Sequence, residues 1–483
     1  MKQKTSESFC QALLELDINH AKALANLVIS LASCTEADSV VELSKSPLYH
    51  FQYSSICDAI NALCHNEAAY ESVSTKIRRH CMSFCSLPSD QIYRFNSDSS
   101  TLLKVFSPTL KDRAQVHIPN NVIAGNKPLS VGYRNSAITL SSYDSWQLTL
   151  SMKRIGIHQS ATECLLGQLN SLFEDQQLPF YKANLVINRL DSGYGNAHYL
   201  APSYKHAQLV SIVRLRQGQK IWLPSLQKNT HGRPPIYDDK PYYLYQNSQT
   251  KSFKYKDQIR SVYQRSIFEI APSQVATMGS STKKGRKILH QIFSWNNLLL
   301  RTKKGNKMSD KPINLLAVIS TDATTGEKIF QQPLFMVVSG ENKDILSPSQ
   351  TFCEYQERYD IEPFFRFNKQ KLLLDKFQTS DVQHLDNWML VVQLAVFLLF
   401  LTAQQAQHTC PKWQKYLPKE KAPNAIRLTI AQARKAAQNL FLTFDKSPFL
   451  PKKSKKGIGR QKGETQIAKI RYDIYQKKKK SPV

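Results

Sequence analysis

The sequence predicts an α/β protein: a mixed sheet flanked by helices, with an N-terminal helical domain, a β-rich insertion and a basic C-terminal tail. Three observations predict it. Up to about residue 88, apolar residues recur at helical spacing and Pro47 is the only interior proline. From about residue 91, short runs rich in β-branched and aromatic residues alternate with turn residues, then with helical segments. The charge is also segregated. The 483 residues carry a net +28, with 21 Lys/Arg against 5 Asp/Glu over 192–312 and 20 against 4 from 411 onward.

The elements follow in order. LLELDINHAKALANLVISLA and YSSICDAINALCHNEAAYESVSTKI read as helices, and Pro88 marks a boundary. This block is slightly acidic, so a DNA contact from it would use a local face such as Lys76, Arg78 and Arg79. IYRFNSDSSTLLKVF, AQVHIPNN, PLSVGYRNSAITL and WQLTLSMKRI read as strands. ATECLLGQLNSLFED is a helix, ANLVINRL a strand that ends at an Asp and a Gly turn, and LVSIVRL the next strand. Residues 217–310 carry many Tyr and basic residues with short strands, which predicts an inserted cationic β-rich subdomain. PINLLAVISTD and EKIFQQPLFMVVSG predict a hairpin around Ala323–Gly326 that returns to the sheet. Residues 355–403 read as helical; an amphipathic helix follows Pro411, and then come the lysine-rich runs PKKSKKGIGRQKG and QKKKK.

Composition narrows the function classes. Two basic blocks on a near-neutral remainder point to a polyanionic partner, and nucleic acid is the obvious one. Nine scattered cysteines, an odd number in a long chain, argue against a disulfide framework and for a reduced, cytosolic setting. Cys57, Cys64, His65, His80, Cys81 and Cys85 lack a Cys-x2-Cys pair, which argues against zinc. The N-terminus has no long apolar core, and the run Trp388–Ala403 carries Gln393 and is short for a bilayer span, so a buried helix is expected there.

Phosphoryl transfer on DNA needs charge neutralisation around an attacking and a leaving oxygen. Two divalent ions about 4 Å apart supply it, and carboxylates hold them. Mg²⁺ takes oxygen ligands and retains waters, so three carboxylates suffice. Asp98 follows a strand and precedes Ser99-Ser100; Asp191 ends the strand NLVINRL. Singly, each is weak evidence, because an Asp at a strand end is more often a turn or helix-cap residue. Tyr355, Arg358, Glu362 and Lys369 stand at spacings of three, four and seven, which share a face on a continuous helix. A solvated, salt-bridged helix face is the alternative for that stripe.

The order Asp98, Asp191, basic insertion, then Tyr-x2-Arg-x3-Glu-x6-Lys resembles the DDE transposases of bacterial insertion sequences, specifically the insertion-sequence-four group. The four-residue hallmark is matched by Tyr355, Arg358, Glu362 and Lys369. The family's Asp-x-Thr is matched by Asp98-Ser99-Ser100 with Ser for Thr, and its second acid by Asp191-Ser-Gly-Tyr194. The resemblance covers roughly residues 90–420.

The resemblance implies an RNase H-like catalytic core over 89–410, interrupted by the insertion 217–310; sequence pattern and charge set before it a helical, DNA-binding domain at 1–88 and after it a basic, partly disordered region at 411–483. It implies an enzyme that cuts its element's ends and joins the 3′-hydroxyl to a target. Asp98, Asp191 and Glu362 would be the catalytic and metal-binding acids, holding two Mg²⁺ or Mn²⁺ ions. Tyr355, Arg358 and Lys369 would hold DNA phosphates. Phe335, in the strand PLFMVVSGE, would correspond to the aromatic that stacks on a flipped base; its alternative is a core strand residue. The implied partners are double-stranded DNA, as terminal inverted repeats and target, and a second copy of the chain in a synaptic dimer. The implied setting is the bacterial cytoplasm at the nucleoid.

Pro363 departs from a simple helix. It removes a helical hydrogen bond and clashes with the preceding turn, at about 3 kcal/mol in a helix interior. Either the helix begins near Pro363 or it kinks there. Two rival functions remain open: a transposase-derived DNA-binding protein that no longer cuts, and a nuclease of the same fold that cuts without joining.

Overall fold

The computed structural model describes residues 5–86, 88–117, 129–142, 146–225, 235–255, 258–282, 285–301, 307–405, 428–444 and 468–476. The lysine-rich runs at 451–463 and 477–480, and residues 411–427, lie outside the described residues.

The N-terminal block forms α1 (Ser6–Leu14), α2 (Ala21–Ser33), α3 (Val40–Leu43), α4 (Tyr53–Asn61) and α5 (Glu67–Ser83). Thr5, Ser39 and Asn66 cap α1, α3 and α5 by accepting from backbone N–H groups of the first turn. Strands β1 (Ile92–Leu103), β2 (Ala114–His117), β3 (Leu129–Ser141) and β4 (Gln147–Ile155) follow, then α6 (Ala161–Phe173), β5 (Leu185–Leu190), α7 (Ala197–Ser203) and β6 (Leu209–Arg214). The insertion contributes β7 (Lys220–Ile221), β8 (Tyr242–Tyr243), β9 (Gln249–Tyr255), β10 (Gln258–Ser266), β11 (Gln274–Ser281) and β12 (Lys287–Leu298). After β13 (Ile313–Asp322) and β14 (Leu334–Ser339) come α8 (Pro348–Gln356), a 3₁₀ turn at Glu357–Asp360, α9 (Ile361–Gln370), α10 (Val382–Gln405) and α11 (Ile430–Phe444).

The chain divides into two compact units. The first comprises Met1–Leu87, Ser99–Cys164 and Asp360–Val483; the second comprises Pro88–Asp98 and Leu165–Tyr359. The residues 1–88 therefore do not stand as a compact unit of their own. The reason is α10, which is buried on every side from Asn387 to Ala403. A helix apolar all round must be covered all round. In the first unit α1, α2, α4, α5, α11 and β4 pack on it, so the N-terminal helices are its cover. α10 has the length and composition to cross a bilayer, but 94 % of its apolar window is buried inside the protein. The basic face expected at Lys76–Arg79 is also redirected. Arg78 is buried and its Nε donates to the Leu150 carbonyl of β4, while Lys76 pairs with Asp17 at 3.2 Å.

In this unit the second half of β1 neighbours β3, which pairs antiparallel with β2 through Leu129–Gly132 and with β4 from Arg134 onward. Where β3 changes partner, a Cβ on Gly132 would stand 2.0 Å from the Leu102 carbonyl oxygen, so only glycine fits.

The second unit holds strands in the order β11-β12-β13-β14-β6-β5-β1. β1, β5 and β6 run parallel, and β14 to β11 continue antiparallel, which makes the sheet mixed. The hairpin expected from β13 to β14 is present, with Val318 opposite Leu334. The insertion is β-rich but not wholly separate: β11 and β12 extend this sheet, and β7-β8-β10-β9 form a sheet of their own. The difference lies in β12, whose Ile292, Ser294 and Trp295 are buried while it pairs with β13 along nearly its whole length.

One face of this sheet carries the unit's apolar core. Leu185 and Ile187 of β5, Val210 and Ile212 of β6, Met336 and Val338 of β14, and Leu316 and Val318 of β13 cluster with Phe352 and Tyr355 of α8. Alternation along each strand puts these residues on one side, and α8 lies over them.

Candidate active site

Asp98 and Asp191 meet because β1 and β5 are parallel neighbours in register. Ser97 lies opposite Leu190. The next residue on each strand is an aspartate, so two carboxylates stand side by side where β5 ends. Asp191 keeps an extended backbone (φ −82°, ψ 171°), which preserves the strand's alternation for one residue more. Leu190 in turn pairs with Val213 of β6, which places Arg214 beside Asp191. The three ends form a row of acid, acid and base on the face that α8 covers.

Arg358 is delivered onto this row by the 3₁₀ turn after α8. It is buried, and its Nη1 lies 3.3 Å from Asp98 Oδ2. Burial alone would lower its pKa, but Tyr355, Asp98 and Asp191 draw it above the usual arginine value. Its guanidinium carbon lies 4.8 Å from the Tyr359 ring centroid and 5.9 Å from that of Tyr355. A desolvated, ring-flanked guanidinium is a strong ligand for an oxyanion. Tyr355 itself is fully buried in the sheet-facing core, and burial pushes its phenol up to about 12. Its hydroxyl has no hydrogen-bond partner among the described residues.

One layer below the aspartates, Asn96 and Arg189 are register partners, each two residues before an acid and on the same face. Both are fully buried. Arg189 Nε donates to Asn96 Oδ1 at 2.8 Å, and its Nη1 donates to the Glu354 carbonyl at 3.2 Å and to Glu357 Oε2 at 2.6 Å. Asn96 Nδ2 donates to the Glu357 carbonyl at 3.1 Å. Arg94 adds an ion pair to Glu354 at 2.8 Å. The sequence reading passed over this layer. Its signal is a polar residue two before each acid: Asn96 before Asp98 and Arg189 before Asp191.

The opposite face is polar in a different way. Ser97 Oγ donates to Asn188 at 2.7 Å, Asn188 donates to the Tyr199 hydroxyl, and that hydroxyl meets Ser211 at 2.9 Å. These bonds tie β1, β5, β6 and α7 together below the aspartates.

The continuous helix through Tyr355, Arg358, Glu362 and Lys369 is replaced by three pieces. Tyr355 belongs to α8, Arg358 to the 3₁₀ turn, and Glu362 and Lys369 to α9. Pro363 is the third residue of α9, in a first turn where its missing N–H costs no helical bond. Of the two alternatives for Pro363, a helix that begins near it is the one observed. Asp98, Asp191, Tyr355 and Arg358 lie in the second unit; Glu362 and Lys369 lie in the first, Glu362 exposed and Lys369 half-buried. Burial lowers the Lys369 pKa, and Asp375 opposes that. Phe335 sits on β14 opposite Ala317, 2 % exposed, with its ring 6.4 Å from that of Phe268 in an edge contact. It is a core strand residue, and a base has no open ring face to stack on there.

Among the described residues no group of three or more His, Cys, Asp and Glu side chains gathers at metal-ligating positions. The second unit supplies a pair of carboxylates, with a guanidinium against one of them. Carboxylate oxygens on adjacent strands are hard donors of the kind Mg²⁺ or Mn²⁺ takes. Compared with known proteins, the chain matches no family model and no curated protein.

Proposed function

We propose that the protein is a DDE-type DNA transposase that cleaves the ends of its own element and transfers the 3′-hydroxyl to target DNA. The observation that carries the reading is the aspartate pair formed by Asp98, within β1, and Asp191, just past the end of β5, with Arg358 of the signature brought against Asp98. A mixed sheet with acids on neighbouring parallel strands, followed by a helix that carries Glu362, fits the RNase H-like core that the resemblance implies. The charge of the chain fits a DNA partner.

Asp98 and Asp191 would hold divalent ions, with Glu362, four residues beyond Arg358, as the third ligand. Such ions activate the attacking oxygen and neutralise the leaving one. Arg358, desolvated and flanked by Tyr355 and Tyr359, would bind a phosphate oxygen and fix the scissile bond above the carboxylates. Lys369 would add a second phosphate contact. Double-stranded DNA, as terminal inverted repeats and target, and a second copy of the chain in the synaptic complex complete the reading, by analogy with the family.

A second reading is favoured by the same Asp98–Arg358 contact: a transposase-derived DNA-binding protein in which the guanidinium takes the place of a cation. Cleavage assays separate the two. Short inverted repeats flanking the reading frame would supply the substrate, with Mg²⁺ or Mn²⁺. Wild type should nick the ends, and Asp98→Ala, Asp191→Ala and Glu362→Ala should each lose more than about a hundredfold in rate. Undiminished cleavage in any variant removes that residue from the site. Joined products distinguish a transposase from a nuclease of the same fold.

A further inference from the structure

We propose that Arg189, together with Asn96, is a positioning pair that fixes the segment Glu354–Arg358 over the aspartates. The proposal rests on the reading of Asp98 and Asp191 as the catalytic carboxylates. The residues beneath Arg189 on the same face of the sheet, Ile187 and Leu185, are apolar core. An aliphatic side chain would continue that layer, and replacing buried ion pairs by apolar groups is often neutral or stabilising. The layer is polar nonetheless, and it bonds to one short segment, residues 354–357.

The bonds fall at the break between α8 and the 3₁₀ turn. α8 ends at Gln356 and passes directly into the 3₁₀ turn, so the α-helical bonding pattern is interrupted here. Arg189 takes the Glu354 carbonyl, and Asn96 takes the Glu357 carbonyl. Glu354 and Glu357 also hold Arg189 through their carboxylates at 3.3 and 2.6 Å. Both amide atoms of Asn96 are used, one on Arg189 and one on the Glu357 carbonyl. The segment is therefore tied at two backbone points to two adjacent strands. Arg358 is the next residue, and it reaches Asp98, two residues along β1 from Asn96. The strands that carry the acids thus also set the position of the cation above them.

The test uses the full-length protein. Glu357 is 57 % exposed at its side chain, so Glu357→Ala should fold as wild type. It should cleave saturating DNA between about tenfold and a hundredfold more slowly, with unchanged DNA affinity and thermal midpoint. The triple variant R189M/E354Q/E357Q removes the fully buried Arg189 charge together with its two carboxylate partners, and the one cation that loses a partner, Arg94, is a third exposed. It should keep or raise the midpoint and still lose rate by at least as much. Hydrogen exchange of the 354–359 amides should quicken in Glu357→Ala. Wild-type cleavage by either variant, or a rate loss matched by a fall in midpoint, overturns the proposal. If Asp98→Ala and Asp191→Ala cleave normally, the catalytic reading fails instead. Exchange of the 354–359 amides then decides the positioning claim, and unchanged exchange overturns it.

Discussion

At Arg358 the chemistry is that of a planar fork beside two phenol rings, against a carboxylate. Lysine would retain the charge but lose the fork and the stacking. Arg358→Lys should therefore slow end cleavage by about a hundredfold, as measured in single turnover. Tyr355 behaves differently. Its hydroxyl is buried with no partner among the described residues, so Tyr355→Phe breaks no hydrogen bond to them. Thermal unfolding of that variant should lie within about 1 kcal/mol of wild type, and any loss of cleavage then reports the effect of the phenol on the neighbouring Arg358. A third residue sets a pH limit. His80 of α5 packs between Phe9 and Phe84, and burial pushes its pKa from 6.5 down to about 4. The unfolded chain binds a proton there below pH 6.5 while the folded chain does not, so stability is lost as pH falls from 6.5 toward 4. The contribution is on the order of 3 kcal/mol, and His80→Phe should flatten that part of the pH–stability curve.

At the scale of elements, α10 offers a paired comparison. Asn387 and Gln393 are both fully buried in it. Asn387 Nδ2 donates to the Ile60 and Cys64 carbonyls at 2.7 and 3.0 Å, capping the end of α4. Gln393 has no partner on either amide atom among the described residues. Asn387→Leu should destabilise by about 1–3 kcal/mol, and Gln393→Leu should stabilise by a similar amount, both read by denaturant unfolding. α9 supplies a second test. Because Pro363 stands in the first turn, Pro363→Ala should change stability by less than about 1 kcal/mol, not the roughly 3 kcal/mol gain expected for a proline removed from a helix interior. The elements themselves were largely legible. The strands from 92 to 155 and the buried helix at 388–403 fall where alternation and apolar runs put them. The division of 355–370 into α8, a 3₁₀ turn and α9 was signalled only by Pro363, because the side-chain spacing fits a continuous helix equally well.

For the whole molecule, charge sets the response to salt. If the basic blocks meet a duplex, affinity should fall by at least about tenfold between 50 and 200 mM salt, and a gel-shift titration would show it. The division into units was the least legible feature. Composition marks a boundary at Pro88, but burial ignores composition. The apolar surface of α10 recruits α1, α2, α4 and α5 from the far end of the chain. Likewise β11 and β12 look like part of a cationic insertion, yet β12 pairs along β13 and β11 pairs along β12.

The sequence by itself determined the two aspartates, the signature residues, the cationic balance and most of the strands, because side-chain chemistry and local periodicity are written in it directly. Tertiary structure alone decided what lies next to what. Parallel register placed Asp98 beside Asp191 and Asn96 beside Arg189, the break after α8 turned Arg358 onto Asp98, and Phe335 and Tyr355 were drawn into the core. Register and burial follow from hydrogen bonds and apolar contacts between segments up to hundreds of residues apart, which a residue pattern along one chain does not encode.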